Sequence, residues 1–262
     1  MNDPVSATAQ PWLPPLSGKL ALITGGTRGI GSGIALAMAA AGARVIVTGR
    51  DRPMAESVVA QIRQAGGFGD FLISDLLDDA EVDGLIPRVE NGFGPIDVLV
   101  NNAGIDADNP AIRHPLEDWQ RVLRLNLEVP FRLCQAVAQG MLQRGAGIII
   151  NVSSVLGLVG SREVSSYAAS KHGLIGLTKV LAIEWAAQGI RVNAIAPGLI
   201  QTDMTANMWD RPGATEQIKR SIPAGRIGTP ADIGGVAVFL ASDAADFVHG
   251  ETIVVDGGFV AT

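Results

Sequence analysis

Several residue types that mark common functional classes are scarce in this chain. Its 262 residues include one cysteine and three histidines. No uninterrupted apolar run reaches the ~18 residues that a membrane span needs. The lone Cys134 excludes an internal disulfide, and we interpret it as a small apolar residue inside a helix rather than a nucleophile. The histidines are scattered, with no second ligand at metal spacing, so we expect no metal site.

Basic charge is scarce as well. The formal net charge is -6 at pH 7 and no cluster of Lys and Arg overrides it, so we expect no nucleic-acid partner. Residues 1–16 have neither a cationic start nor an apolar core, which argues against a secretory signal, and their prolines predict a flexible arm. With the lone cysteine, this favours a cytoplasmic protein without a membrane partner.

Residues 17–262 have the length and composition of a single α/β domain, because apolar strand-like runs alternate with longer helix-like segments. This alternation is typical of a parallel sheet covered on both faces. The predicted strands are Leu20–Thr24, Arg44–Thr48, Phe71–Ile73, Ile96–Asn101, Ile148–Ser153, Arg191–Ala196 and Thr252–Val255. The predicted helices are Ile30–Ala41, Pro53–Ala65, Asp79–Glu90 (kinked or shortened by Pro87), Leu116–Gly140, Val164–Gln188 and Pro230–Ala241.

A glycine-rich loop, TGGTRGIG, connects the first strand to an alanine-rich helix. Gly25, Gly29 and Gly31 allow a sharp turn and a close approach to a pyrophosphate, whose charge a helix N-terminus favours. The spacing differs from G-x-G-x-x-G, so the loop alone also fits a plain strand-to-helix turn. Its place in the first βα unit favours dinucleotide binding.

The end of the second strand bears on the choice of dinucleotide. An acidic residue there would bind the ribose 2′-hydroxyl of NAD, whereas an arginine can hold the 2′-phosphate of NADP. Arg50 occupies this position and Arg28 lies in the glycine loop, which favours NADP(H), with NAD(H) possible. Alternatively, Arg50 is solvated while Asp51 caps the next helix and Pro53 lies in its first turn; both interpretations can hold.

Polar residues follow or interrupt other predicted elements. Asp75, after the third strand, would meet an adenine edge or serve as a loop residue or cap. Asn102 and Gly104 belong to NNAG, which closes the fourth strand and leaves room beside the backbone. Asn126 lies inside a long predicted helix, where it is either a surface residue or diverts the hydrogen bonds of the helix itself.

Tyr167 and Lys171 lie four residues apart, so on a helix their side chains project from one face. An ammonium roughly 4 Å from a phenol, at an effective dielectric of about 20, favours the phenolate by about 4 kcal/mol. We therefore predict that Lys171 lowers the pKa of Tyr167 by roughly three units, toward neutrality. Such a pair also arises by chance, but Ser154 at the end of a buried strand, where α/β sheets place ligands, favours a catalytic site.

These motifs together resemble those of the short-chain dehydrogenase/reductase family, from about Leu16 to Thr262. The glycine loop is similar to the family's TGxxxGxG, NNAG is intact, and Ser154 precedes the YxxxK motif at the family spacing. Pro197-Gly198 and the ending VDGG also match. The resemblance implies a Rossmann-type fold, with one doubly wound parallel sheet of seven strands and helices on both faces.

The resemblance also implies an oxidoreductase that interconverts a ketone and a secondary alcohol on a small-molecule substrate. Tyr167 would exchange the proton, Ser154 would hold the oxygen, Lys171 would bind the nicotinamide ribose, and Asn126 would position a water. The implied catalytic residues are Asn126, Ser154, Tyr167 and Lys171. The implied cofactor contacts are Gly25, Thr27, Arg28, Gly29, Ile30, Gly31, Arg50, Asp75, Leu76, Asn102, Ala103, Gly104, Tyr167, Lys171, Pro197, Gly198, Ile200 and Thr202.

A substrate lid and self-association are further expectations. Residues 202–226 correspond to the mobile lid of the family. The side chains of Met204, Met208 and Trp209 either give this lid an apolar surface or pack in the core as ordinary core residues. The helices predicted over Leu116–Gly140 and Val164–Gln188 carry more apolar surface than one buried stripe needs. Similar proteins are usually homotetramers built on these two helices.

Three substrate types remain open. Overall similarity slightly favours a 3-oxoacyl thioester. The lack of a basic cluster that could dock an acidic carrier protein weakens this hypothesis. A sugar or sugar acid of the gluconate type, and a broad range of carbonyls, are the others. A non-catalytic dinucleotide-sensing protein is the alternative from another class, although it would not need the Ser, Tyr and Lys set.

Overall fold

The computed structural model describes residues 15–208 and 213–261. Seven parallel strands form one sheet in the order β3-β2-β1-β4-β5-β6-β7. The strands are β1 Leu20–Ile23, β2 Arg44–Gly49, β3 Phe68–Ile73, β4 Val98–Asn101, β5 Gly147–Val152, β6 Ile190–Pro197 and β7 Thr252–Val255. The α-helices are α1 Gly29–Ala40, α2 Arg52–Gln64, α3 Asp79–Phe93, α4 Leu116–Leu123, α5 Val129–Arg144, α6 Ser165–Trp185, α7 Ala214–Ser221 and α8 Pro230–Ala241.

The central strands β1, β4 and β5 are almost entirely buried and mostly apolar, as expected where helices cover both faces of the sheet. Alternate strand residues point into two separate cores. In β1, for example, Ala21 and Ile23 pack with α1, α2 and α8, whereas Leu20 and Leu22 pack with α3, α5 and α6. The predicted doubly wound α/β fold with seven parallel strands is therefore confirmed.

Element boundaries differ from the prediction in places. Strand β3 begins three residues before its predicted start at Phe71. Helix α3 runs through Pro87 and ends at Phe93, so the expectation that Pro87 shortens it is wrong. Leu85, Ile86 and Val89 are buried on the same helix, and this packing offsets the backbone hydrogen bond that a proline cannot donate. Helix α7 was not predicted.

The long helix predicted over Leu116–Gly140 is interrupted. Helix α4 ends at Leu123, a π-helical turn covers Arg124–Glu128, and α5 continues to Arg144. The widened turn contains Asn126, whose side chain bonds to a neighbouring loop instead of pointing into solvent. The interpretation of Asn126 as a surface residue is wrong, because its side chain is buried. The helix changes to a π turn at this residue, and π turns occur often at functional sites.

Some predicted features fall partly outside the described residues. Leu16, assigned to the arm, is fully buried, and its N–H donates to the carbonyl of Ala41 at 2.7 Å. The other residues of the predicted arm up to 14, and Trp209 of the predicted lid, lie outside the described residues, as does the side chain of Met208. Across the described ranges, no helix is both long and apolar enough to cross a membrane.

Candidate active site

The sheet order places a switch point between β1 and β4. The chain leaves β1 toward β2 on one side and continues from β4 to β5 on the other, so a crevice opens at the carboxyl ends of these two strands. Every predicted site residue outside the helices follows the carboxyl end of a strand or, like Pro197, ends one. Because parallel strands bring these ends to one edge, the fold gathers the residues along a single rim.

The glycine loop of this rim has the geometry of a close backbone cradle. Gly25 and Gly29 have φ values of +60° and +54°, which strain residues with a side chain. A Cβ added to Gly31 would lie 2.2 Å from the carbonyl oxygen of Gly25. Glycine at these positions is therefore required by backbone conformation and by space.

Helix α1 offers an N-terminus that suits a pyrophosphate. Its N-cap residue, Arg28, provides no side-chain hydrogen bond to the helix, and no acidic residue lies in the first turn. The free N–H groups and the positive end of the helix dipole therefore face the glycine loop without a protein anion. This chemistry fits a dinucleotide phosphate, as the loop predicted.

Thr24 joins the two sides of the crevice. Its hydroxyl donates to the carbonyl of Val100 at 3.3 Å and accepts the N–H groups of Asn102 and Ala103 at 3.0 and 3.1 Å. The amide of Asn102 donates in return to the carbonyls of Thr24 and Gly25 at 2.9 and 3.0 Å. Thr24 was missed as a site residue, although its place at the head of the glycine motif was a usable signal.

The two arginines assigned to cofactor selection are both exposed and loosely paired. Arg50 lies 3.9 Å from Asp75, the residue assigned to the adenine, and Arg28 lies 3.9 Å from Asp203 at the start of the predicted lid. Asp51 caps α2 by accepting the N–H of Met54 at 3.0 Å. The capping interpretation is confirmed for Asp51, and it leaves the Arg50 guanidinium available at the end of β2.

Three predicted cofactor contacts contribute their side chains to the cores. Leu76 and Ile200 are buried in the two cores, and the partly buried Ile30 packs against one of them. Thr202, in contrast, faces the glycine loop, because a Cβ on Gly29 would lie 3.2 Å from its methyl group.

The remaining predicted contacts lie after β1 and at the end of β6. Thr27, after β1, is buried against the end of β2, where a Cβ on Gly49 would lie 2.7 Å from its hydroxyl. Pro197 is the last residue of β6, and Gly198 follows it without room for a side chain, because a Cβ there would lie 2.6 Å from that of Asp256. Met204, in the predicted lid, is exposed, which argues against core packing for this residue.

Tyr167 and Lys171 share one face of α6, as predicted. The Lys171 ammonium lies 5.5 Å from the centre of the Tyr167 ring and donates to the carbonyl of Val152 at 2.8 Å. Although part of Tyr167 reaches solvent, its pKa is raised to about 12, mainly by burial and to a smaller extent by the negative charge of Asp106. A hydrogen bond with Ser154 opposes this rise.

The predicted direction of the Tyr167 pKa shift is therefore wrong in this structure. Desolvation of the phenolate outweighs the attraction of Lys171, which is turned to a backbone carbonyl. Burial also lowers the pKa of Lys171 to about 8. The ammonium is thus less fully charged near neutral pH than the prediction assumed, which weakens its effect on the phenol.

Ser153 and Ser154 directly follow β5 and lie close to α6. The Ser154 hydroxyl accepts the N–H of Leu156 at 3.1 Å and caps the short 3₁₀ helix Val155–Gly157. Ser153, which was not assigned a role, donates its hydroxyl to the carbonyl of Lys171 at 3.0 Å. Both serines are buried, so the end of β5 is held against α6.

Asn126 lies beside Lys171 at the π turn. Its carbonyl oxygen accepts the N–H of Ile105 at 2.9 Å, and its amide donates to the carbonyl of Ile105 and to the hydroxyl of Ser170 at 2.8 and 3.2 Å. A Cβ on Gly104 would lie 3.2 Å from the Asn126 side chain and 3.7 Å from the Lys171 ammonium. Glycine therefore preserves a space that both residues border.

Asp106 is a further charged group near the phenol that the sequence did not identify. It follows Ile105, and its pKa is raised by burial and by the charge of Asp108. The nearby Asn109 donates its N–H to the carbonyl of Glu163 at 2.8 Å, so this loop is joined to the segment that leads into α6. Its place directly after NNAGI was the available signal. No metal-binding group of His, Cys, Asp or Glu occurs among the described residues.

Comparison with known proteins identifies the family. Residues 25–260 match a family model described as enoyl-(acyl carrier protein) reductase. The chain belongs to the short-chain dehydrogenase/reductase family. It is 41% identical over 244 residues to D-threitol dehydrogenase of Mycolicibacterium smegmatis, covering 93% of this chain and 94% of that protein. It is 44% identical over 247 residues to a 3-oxoacyl-acyl-carrier-protein reductase of Synechocystis, covering 94% and 98%.

A solved structure agrees with the fold and with the cofactor class. Gluconate 5-dehydrogenase from Burkholderia cenocepacia, in complex with NADP and tartrate, superposes with a TM-score of 0.90 at 38% identity, covering 95% of this chain and 97% of that one. That relative binds NADP, the cofactor predicted for this chain. The predicted activity class is confirmed: the chain is an oxidoreductase of the family that acts on carbonyl and CH–OH groups.

Proposed function

We propose that the protein catalyses the NADP(H)-dependent interconversion of a ketone and a secondary alcohol. One observation carries the proposal: Ser154, Tyr167 and Lys171 converge at one rim of the sheet. The same rim holds the N-terminus of α1, which follows the glycine loop and has no side-chain cap. A bound nicotinamide would supply or accept the hydride. The glycine loop would hold the pyrophosphate, and Arg50 and Arg28 are the cations placed for a 2′-phosphate.

In the proposed reduction, Tyr167 donates its phenolic proton to the oxygen of the substrate carbonyl. The Ser154 hydroxyl donates a hydrogen bond to the same oxygen and limits the charge that builds there. Because burial keeps the pKa of Tyr167 near 12, the phenol holds its proton at neutral pH, which suits the reductive direction. Oxidation requires the phenolate and is favoured as the pH rises.

Lys171 and Asn126 have supporting roles in the proposal. Lys171 would bind the ribose of the nicotinamide and supply positive charge to the phenol. Asn126 would position a water between Lys171 and solvent, next to the space that Gly104 leaves open. The buried position of both side chains supports roles that need fixed geometry.

The substrate is proposed only by class. The names of relatives include a polyol dehydrogenase, an oxoacyl thioester reductase and a gluconate dehydrogenase. These names describe dehydrogenases and a reductase, whose reactions interconvert a hydroxyl and a carbonyl group. We favour a small or medium-sized substrate of this kind, with a 3-oxoacyl substrate and a sugar or sugar acid as the candidates for a first panel.

The direct test replaces Tyr167 with Phe and measures turnover and NADPH affinity separately. We expect turnover to fall by at least about a hundredfold, since general acid catalysis contributes about that much, while the Kd for NADPH stays within about threefold. A variant that retains turnover would rule out the mechanism. If the wild-type protein binds NADPH but converts no member of a ketone and alcohol panel, the dinucleotide-sensing alternative is favoured.

We also propose a cytoplasmic homotetramer. Exposed apolar side chains of Leu116, Phe131, Val180 and Ile183 lie on α4, α5 and α6. A groove of about 720 Å³ between these helices is lined mainly by apolar residues, including Leu116 and Phe131, and by none of the proposed catalytic residues. A second copy packing on these helices would bury this surface.

A further inference from the structure

A chain of buried polar side chains runs under the catalytic helix. The amide of Asn101 on β4 donates to the side-chain oxygen of Asn151 on β5 at 2.9 Å. The amide of Asn151 donates to the hydroxyl of Thr178 on α6 at 2.9 Å, and that hydroxyl donates to the carbonyl of Leu174 at 2.8 Å. The three side chains are 3%, 0% and 0% exposed, so water does not replace these bonds.

This polar chain, Asn101-Asn151-Thr178, interrupts an otherwise apolar core between the sheet and α6. Buried amides and hydroxyls are costly unless they are hydrogen-bonded, and apolar residues of similar volume would cover the same surface without that cost. Apolar contacts are not directional, whereas hydrogen bonds fix distance and orientation. The polar chain therefore constrains the position of α6 relative to the sheet more than apolar packing would.

The constraint acts on the helix face that carries the proposed catalytic pair. Thr178 lies three helical turns after Tyr167 and two turns after Lys171, which at 100° per residue places all three on one face. Three successive residues at the end of β5 and directly after it bond to α6. Asn151 bonds to Thr178, the carbonyl of Val152 accepts the ammonium of Lys171, and Ser153 donates to the carbonyl of Lys171. A shift of α6 along its axis would lengthen all of these bonds together.

We propose that Asn151 and Thr178 are positioning residues. They fix α6 along its axis so that Tyr167 and Lys171 lie close to Ser154. Asn151 is the central member because it is bonded on both sides, to β4 and to α6. Asn101 precedes Asn102, which binds the glycine loop, so the chain also ties the catalytic helix to the cofactor crevice. The inference rests on the proposed function, since it assigns a purpose to the placement of the Tyr167 hydroxyl.

The test compares Thr178→Val with Thr178→Ser. Valine has nearly the shape of threonine but leaves the Asn151 amide without its acceptor, whereas serine keeps the hydroxyl. We expect Thr178→Val to lower kcat by about tenfold to a hundredfold, as small misplacements of catalytic groups do, with the Kd for NADPH within about threefold. Thr178→Ser should restore kcat to within about threefold of the wild type, even where its melting temperature is lower.

Ser242→Ala is the matched control for loss of a buried hydroxyl. Ser242 is fully buried and donates to the carbonyl of Phe239 at 2.7 Å, beyond the end of α8 and outside the proposed site. We expect this variant to lose thermal stability while keeping the wild-type kcat. Should Thr178→Val fail to fold, Thr178→Cys, with a weaker hydrogen-bonding group of similar size, replaces it under the same criteria.

Two results would overturn the positioning role. One is a Thr178→Val protein with lowered stability and wild-type kcat; the other is a Ser242→Ala protein whose kcat falls as much as that of Thr178→Val at equal stability loss. Either result leaves the proposed function standing if Tyr167→Phe is inactive. If Tyr167→Phe keeps its turnover, the proposed function itself fails, so the two failures are distinguishable.

Discussion

The ammonium of Lys171 lies 5.5 Å from the centre of the Tyr167 ring and is bonded to the carbonyl of Val152. Among the hydrogen bonds of the described residues, none joins this ammonium to the phenol oxygen. Burial therefore governs both groups: it raises the pKa of the phenol and lowers the pKa of the amine. Each side chain is driven toward its neutral form, and this makes the pair sensitive to alkaline pH.

The first prediction concerns stability and pH. The pKa of Lys171 is about 8 in the folded protein against the ordinary lysine value of 10.5, so between these values the unfolded chain binds more protons. Stability contributed by Lys171 therefore rises as pH rises through this window, by about 3 kcal/mol in total. The wild type should gain stability relative to Lys171→Met between about pH 8 and 10.5, as measured by urea unfolding.

Lys179→Met is the control for that experiment, because Lys179 is an exposed lysine of the same helix. Urea unfolding of Lys179→Met over the same range shows how the loss of an exposed lysine by itself changes stability. Tyr167 has the opposite effect on stability, but only above its ordinary pKa of 10. Because its pKa is raised in the folded protein, the unfolded chain loses the phenolic proton first, and stability falls as the pH rises above 10. Parallel curves for wild type and Lys171→Met would contradict the pKa of about 8 for Lys171.

The second prediction concerns coenzyme choice. Arg50→Asp should weaken NADPH binding by about tenfold or more, because a charged hydrogen bond to the 2′-phosphate is lost and a negative charge is added. NADH, which lacks this phosphate, should be affected much less. Arg52→Asp makes the same charge change two residues away, where Arg52 pairs with Glu56 at 3.7 Å. Equal weakening of both coenzymes by Arg50→Asp would remove Arg50 from cofactor selection.

The third prediction concerns the glycine loop. Gly31→Ala would place a Cβ 2.2 Å from the carbonyl oxygen of Gly25, so the loop must shift. We expect NADPH binding, measured by fluorescence titration, to weaken at least about tenfold, because the loop backbone is the proposed phosphate cradle. Gly92→Ala in α3 adds a methyl group into open space and should leave binding unchanged while slightly stabilising the helix. Wild-type affinity in Gly31→Ala would argue against this location for the cradle.

The fourth prediction concerns the exposed apolar side of α6. Ile183 is 82% exposed, and replacing it with Glu would place a charge in the proposed contact between copies. Light scattering coupled to size exclusion should report a smaller assembly for Ile183→Glu than for the wild type. Met54→Glu changes a partly exposed apolar residue on α2, and it should leave the assembly intact. A wild-type protein that runs as a monomer would exclude the tetramer directly.

The sequence by itself determined the fold class, because strand-like and helix-like runs alternate along the chain and each carries a strong local signal. It also determined which residue types stand at the site. The glycine loop, NNAG, Ser154 and the Tyr167 and Lys171 pair are contiguous motifs, and their spacing can be read without tertiary contacts.

Only the tertiary structure decided the quantities that depend on residues distant in the chain. At the π turn Asn126 bonds to Ile105, 21 residues earlier in the chain, and α3 continues through Pro87 where Leu85 and Val89 are buried. The direction of the Tyr167 pKa shift depended on burial by several elements at once. Spacing along a helix indicates which side chains are neighbours, but the free energy of charging them depends on the solvent that the whole fold excludes.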